Sequence, residues 1–314
     1  MAAAIPDLGP EPLKPFTRED LPGLALSKRE LDVLLRSKAI IQPLRGVYVD
    51  ARLADDPVIK GRAAALVLPD GAALARRTAA WIHGIDARGP GELDQPLPVD
   101  CVVPAARASV PKRPGLVAYE AVLPAEDIGI VDGVPVTTPD RTALDLARHS
   151  KVFMGLAVLD AFGNAKLIDV EALRERVVAL KGQRGIAQAR RLLALHDPRA
   201  ESFGESWLRL RAIDAGFPRP DLQIWMTDDN GFGTYRLDLG WPALRVAVEY
   251  DGEEFHSSPD HRLRDAHRRA DLARRWGWHC MGVGKGEVLG QSLRLEKGIG
   301  ALIGMAPQIL RRAW

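Results

Sequence analysis

Two acidic residues at the ends of consecutive apolar runs give the strongest chemical signal in this 314-residue chain. Asp238 lies in Arg236-Leu237-Asp238-Leu239, and beyond a Pro242-Ala243 turn the apolar run 244–248 leads into Glu249. Apolar runs of this length read as β-strands, here at 234–240 and 244–250. Strands joined by so short a turn bring the two carboxylates together at one sheet edge. Converging carboxylates form an oxygen site suited to Mg²⁺, which takes one or two of them and leaves its other positions to water and phosphate oxygens. A metal held there would activate water and stabilise charge developing on a phosphodiester. Asp251-Gly252 and His256 follow closely, and histidine has the unperturbed pKa for general-base work near neutrality. The plain alternatives are surface carboxylates at strand ends and a loop histidine without a role.

An arginine-rich helix expected at 260–276 follows. Leu263, Ala266, Ala270 and Ala273 line one side of it, leaving Arg264, Arg268 and Arg275 as a cationic stripe. Beside an acidic metal site such a stripe could hold a phosphate backbone. The alternative is a solvated face carrying i, i+4 ion pairs to Asp265 and Asp271. The elements that must position these groups are also legible. A helix over 202–215 stops at Gly216-Phe217-Pro218, and a strand follows at 221–227. Asn230-Gly231 supplies a hairpin turn. A strand at 278–283 and a helix at 289–302 close a mixed α/β unit.

This segment, roughly 200–288, resembles the PD-(D/E)XK nuclease superfamily, and more closely its branch related to the very-short-patch repair endonuclease Vsr. The resemblance implies a restriction-endonuclease-like fold over 198–314, with Asp238 as metal ligand and Glu249 as the acidic residue of the (D/E)XK pair. It implies a supporting role for Glu205, in Phe203-Gly204-Glu205-Ser206-Trp207, whose plain alternative is an early-helix acid favoured by the helix dipole. Asp251 stands where the family has lysine, so the family's usual means of orienting water is missing and Asp251 or His256 would have to activate it. His256 stands at the distance of the downstream histidine that serves as base in the Vsr-like branch.

The N-terminal part carries a different signal. Residues 1–15 are proline-rich and read as a mobile arm. Thr17 to Leu21 is expected to start a short helix, broken at Pro22-Gly23. Ser27 precedes Glu30 by three residues, the capping-box spacing, and Leu31, Leu34 and Leu35 give the next helix one buried face. Two short β-type runs around Arg45-Gly46 complete the order of a winged helix-turn-helix over 16–52. That unit, with its Arg45-Gly46-Val47-Tyr48 wing, is similar to the winged helix of AbiEi-type antitoxins. The stretch Gly133-Val134-Pro135-Val136-Thr137-Thr138-Pro139-Asp140-Arg141 to Ala147 is similar to a further segment of the same actinobacterial family. The resemblance implies binding of operator DNA ahead of a toxin gene, with Lys28, Arg29, Arg36 and Lys38 on or after the groove-facing helix and Arg45 on the wing. Between these ends, 53–197 reads as a mixed α+β middle region. Helices are expected at 58–68, 71–82, 151–163, 169–180 and 184–195, and Val-rich strands between about 97 and 136.

Composition sets the outer limits. A net charge of only +2 means that any DNA surface must arise from local clustering. Two distant cysteines, Cys101 and Cys280, support neither a disulfide scaffold nor a metal pair, and fit a reducing cytoplasm. No apolar run reaches the length of a membrane span, and the first fifteen residues lack the pattern of a signal peptide. The expectation is therefore a cytoplasmic α/β multidomain protein whose partners are DNA and a cognate toxin, with no membrane. Three functions stay open: a Mg²⁺-dependent endonuclease, a non-enzymatic AbiEi-like antitoxin or repressor on an inactive nuclease fold, or a protein-interaction module that uses that fold as scaffold.

Overall fold

The computed structural model describes residues 6–68, 71–92, 98–105, 114–228, 231–251, 259–311 and 314, and describes the side chains of these except at 57 and 259–265. His256 and the Asn230 turn position therefore lie outside the described residues, as does the Arg264 side chain. The chain packs as two compact units, Met1–Leu146 and Ala147–Trp314.

In the first unit, β1 (Phe16–Thr17), α1 (Lys28–Arg36), β2 (Ile40–Leu44) and β3 (Val47–Asp50) form a three-stranded sheet of order β1-β3-β2 beside one helix. The capping box of α1 is present: Ser27 Oγ accepts from Glu30 N at 3.2 Å, and Glu30 Oε2 accepts from Ser27 N at 2.7 Å. Leu31, Val33 and Leu34 form the buried face of α1. The helix expected from Thr17 does not form. Asp20 Oδ2 instead accepts both the backbone N–H (2.7 Å) and the hydroxyl (2.9 Å) of Thr17. That turn frees Phe16 and Thr17 to pair antiparallel with Tyr48 and Val47. Part of the proline-rich arm is also held. Arg52 donates to the carbonyls of Gly9, Pro10 and Glu11, Asp50 Oδ2 accepts from Leu13 N, and Leu8 and Leu13 pack on the core around Leu31 and Leu34.

The rest of this unit runs α2 (Pro57–Ala65), β4 (Ala73–Leu74), α3 (Arg76–Ile82), β5 (Val99–Pro104), β6 (Leu116–Ala121), β7 (Ile128–Val131) and β8 (Val134–Thr137), in a sheet of order β6-β5-β4-β8-β7. The single helix expected over 71–82 is thus a two-residue strand and then a helix. Ala73 and Leu74 pair with Val102 and Cys101, and Leu74 also pairs with Val136. The stretch 133–147 explains itself locally. Gly133, with φ of +78°, turns β7 into β8. Arg141, on α4 (Pro139–His149), then bridges Asp127 and Asp145 at 2.7 Å each, with all three side chains buried.

The second unit opens with α5 (Val152–Asn164), α6 (Val170–Ala179), α7 (Ile186–Leu195) and α8 (Phe203–Asp214). It continues as β9 (Asp221–Thr227), β10 (Gly233–Trp241), β11 (Val246–Asp251), α9 (Pro259–Trp276) and β12 (His279–Gly284), and ends in α10 (Lys285–Leu289) and α11 (Arg294–Ile303). Strands β9, β10 and β11 form an antiparallel meander, and α9 carries the chain over to β12, which pairs parallel to β11, for an order β12-β11-β10-β9. The helix expected over 289–302 begins only at Arg294, and Leu289 instead ends a separate short helix capped at Gly290. One core joins Met154 and Ala157 of α5 to Trp207, Leu208 and Ala212 of α8, Val246 and Val248 of β11, and Ile299 of α11.

A buried polar network strengthens the α5–α8 contact. Asp160 accepts from His196 Nδ1 at 3.2 Å, Asp197 N at 2.9 Å and Ser206 Oγ at 2.7 Å, and it pairs with the fully buried Arg209. Buried charges persist only when paired in this way. Packing therefore groups α5 to α7 with the C-terminal elements, whereas a division by expected fold places the boundary at 197/198.

Candidate functional site

The meander brings the acidic residues together. Leu239 pairs with Val248, and continuing that antiparallel register by one residue sets Asp238 of β10 opposite Glu249 of β11. Glu205 reaches the same place from the first turn of α8. Its own position follows from a cap: Ser202 Oγ accepts from Glu205 N at 3.1 Å and donates to Glu205 Oε1 at 2.9 Å. Glu205 Oε2 accepts from Glu201 N at 3.0 Å and Gln223 Nε2 at 2.8 Å. Gln223 sits in the left-handed region, with φ of +54°, and its Oε1 is buried without a hydrogen-bond donor among the described residues.

The electrostatics follow from that convergence. Burial, then the negative charge of Glu205, pushes the Asp238 carboxyl up to about 7. Glu249 adds to the rise, while the N–H of Tyr250, 3.0 Å from Asp238 Oδ2, and the charge of Arg268 oppose it. Burial also raises the Glu205 pKa. This is the pattern of like charges confined in a poorly solvated place.

The cation of the cluster is Arg268. Its two terminal nitrogens each lie 2.6 Å from a Glu249 oxygen, and Nη2 also donates to Arg236 O at 3.0 Å. The guanidinium stands 5.6 Å from the centre of the Tyr235 ring. A bidentate pair of this kind is among the strongest that side chains form. Arg268 therefore turns inward, away from the cationic stripe expected of α9. The helical phase differs from the sequence reading for a physical reason. Arg268 and Leu272, one turn apart, face the sheet, and Ala266, Ala270 and Ala273 are exposed. An arginine counts as polar in an apolar periodicity, yet its stem covers apolar surface while its head meets a buried acid. Arg275 pairs with Asp271 at 3.6 Å and lies 4.3 Å over the Trp276 ring. Asp251 lies 4.0 Å from Arg269.

The fit of a divalent ion can be judged from these partners. Three carboxylates supply the hard oxygen donors that Mg²⁺ prefers. Both oxygens of Glu249 are already held by Arg268, both of Glu205 accept hydrogen bonds, and Asp238 Oδ2 accepts from Tyr250 N. Among the described residues, no group of three or more His, Cys, Asp or Glu side chains is arranged to hold a metal ion. An ion between Asp238 and Glu249 does not fit this arrangement unless the Arg268 pair opens.

The N-terminal cations are placed differently. Lys28, Arg29, Arg36 and Lys38 are exposed on or just after α1, and they form no ion pair among the described residues. Arg45 is exposed at the β2–β3 turn, where Gly46 takes φ of +81°. The buried side of α1 is apolar, so its charge is confined to the solvent side. Sequence reasoning missed Gln223, Ser202 and the inward turn of Arg268. The Ser202 to Glu205 spacing was a usable signal for the cap, but nothing local marked Gln223.

No helix among the described residues is long and apolar enough to cross a membrane. Residues 71–195 match the family model described as the AbiEi antitoxin C-terminal domain. Relatives over most of the chain include uncharacterized protein MT2308 of Mycobacterium tuberculosis (strain CDC 1551 / Oshkosh) and uncharacterized protein Rv2248 of Mycobacterium tuberculosis (strain ATCC 25618 / H37Rv). Each is 34% identical over 257 residues, covering 81% of this chain and 88% of the relative.

Proposed function

Because the chain belongs to the family of these Mycobacterium tuberculosis proteins and is AbiEi-like over 71–195, we propose that it is a cytoplasmic DNA-binding regulator of the antitoxin type, which represses by binding operator DNA and has a cognate toxin as partner. The antitoxin-domain match is the observation that carries this reading. The exposed cations Lys28, Arg29 and Arg36 of α1 and Lys38 just after it support it as the groove-facing surface of a winged-helix unit, with Arg45 on the wing.

The C-terminal segment is, in this reading, a restriction-endonuclease-like fold that does not cleave. The helix–strand–strand–strand–helix–strand order of α8 to β12, with Glu205, Asp238 and Glu249 on it, supports the fold. The engagement of Glu249 by Arg268 and the aspartate at the lysine position support the lack of cleavage. The convergence of three carboxylates favours one competing function, a Mg²⁺-dependent nuclease in which Asp238 and Glu249 hold the ion.

Binding of the DNA upstream of the protein's own gene, followed by fluorescence anisotropy at several salt concentrations, tests the proposal. With five phosphate-contacting cations per chain, log affinity should fall against log salt with a slope of about −4 to −5. The triple variant Lys28→Ala/Arg29→Ala/Arg36→Ala should weaken binding and flatten that slope by about 3. An unchanged slope in a folded variant would remove α1 from the DNA surface, and absence of binding at low salt would reject the reading.

A further inference from the structure

We infer that Arg268 is itself the resident cation of the Glu205–Asp238–Glu249 cluster, standing where a divalent ion would otherwise stand, so that this chain holds no Mg²⁺ or Mn²⁺ there until Arg268 is withdrawn. The inference rests on the reading of the C-terminal segment as a nuclease-type fold that does not cleave.

The geometry carries it. The guanidinium reaches both oxygens of Glu249 at 2.6 Å, and a further N–H meets Arg236 O at 3.0 Å. Three donors thus terminate on one carboxylate and on the strand beside it. Glu249 is buried, and the Arg268 side chain is two-thirds or more shielded, with 30% of it exposed. An ion approaching Glu249 must therefore break a desolvated, doubly hydrogen-bonded pair rather than displace water. Such pairs resist competition because opening one leaves the buried carboxylate without its cation.

The neighbours show why some cation is needed. Glu205, Asp238 and Glu249 converge from α8, β10 and β11, and Gln223 adds a buried Oε1 that accepts no hydrogen bond among the described residues. The place is rich in acceptors, and Arg268 is hydrogen-bonded to both oxygens of Glu249. Arginine suits this role better than lysine. Its planar fork matches both oxygens at once, and it stays charged at any pH at which the protein is folded. The fork also fixes α9 against β11, so neutralisation and packing come from one side chain.

Removing Arg268 while leaving the carboxylates should therefore create a hard-oxygen site where none operates in the native chain. Mn²⁺ provides the probe, since its electron paramagnetic resonance signal is lost on binding. The native protein should leave the free-ion signal unchanged up to about 1 mM Mn²⁺, a range in which weak carboxylate sites bind. Arg268→Met should take up one Mn²⁺ per chain, about tenfold tighter or more. Arg268→Met/Asp238→Asn should lose that uptake. Arg268→Lys, which keeps charge but not the fork, should fall between, and it serves if the Met variant does not fold.

One Mn²⁺ per native chain, abolished by Asp238→Asn, would overturn the inference. So would a folded Arg268→Met or Arg268→Lys variant with no gain. DNA binding measured on the same preparations keeps the outcomes separate. Mn²⁺ uptake by native protein that still shifts DNA rejects the inference alone, and loss of DNA binding without Mn²⁺ uptake rejects the functional reading alone.

Discussion

At the scale of single residues, the chemistry of the C-terminal segment is governed by confinement of like charge. Asp238 faces Glu205 from α8, Glu249 from β11 and Arg268 from α9, and its pKa stands at about 7 against an ordinary value of 3.8. The folded state therefore binds a proton more tightly than the unfolded chain does. The corresponding stability is fully present below about pH 4 and is lost as pH rises through 7. Asp238→Asn should abolish that loss, so its stability advantage over the native chain should be about 2–3 kcal/mol larger at pH 8 than at pH 5. Urea unfolding at the two pH values measures the difference. A second residue-scale outcome concerns Arg211, which is fully buried, pairs with Glu296 and donates from its guanidinium to Val288 O and Ser292 O at 2.9 Å. Arg211→Ala leaves Glu296 buried without its partner and should cost about 3–5 kcal/mol, readable as a shift in the urea midpoint.

At the scale of elements, local rules and tertiary demands divided the outcome. The start of α1 was legible because a capping box is a purely local device, and Ser27→Ala should cost about 1 kcal/mol in chemical denaturation. The strands β9, β10 and β11 were legible from apolar runs, and with them the meeting of Asp238 and Glu249. The two-residue strand β4 was not, since Ala73-Leu74 carries no period and exists only through its pairing with β5 and β8. The turn at 17–20 escaped notice because Asp20 satisfies Thr17 locally, an alternative to a helix that sequence periodicity does not weigh. The phase of α9 was misread because Arg268, polar by composition, belongs to the buried side once Glu249 is there to receive it. The site was thus half legible: its acids could be read, and its cation could not.

At the scale of the molecule, the two compact units divide the candidate functions. The α1 cations lie in Met1–Leu146, and the carboxylate cluster with Arg268 lies in Ala147–Trp314. The match to the antitoxin C-terminal domain, 71–195, spans the division, and α5 within it shares a core with α8, β11 and α11. A fragment 147–314 should unfold cooperatively. A fragment 198–314 loses Asp160, the partner of Arg209 and Ser206, along with Met154 and Ala157 of the common core. It should be less stable by at least about 3 kcal/mol, and equal thermal midpoints for the two fragments would contradict this coupling.

A regulator that binds DNA without cutting it should be visible in a footprint of the full chain on the DNA upstream of its own gene in the presence of Mg²⁺. The expected result is a protected stretch with intact strands, the same for the native protein and for Asp238→Asn. Strand breaks made by the native protein and absent with Asp238→Asn would contradict the claim and establish a metal nuclease, and no protection at low salt would contradict the DNA-binding account as a whole.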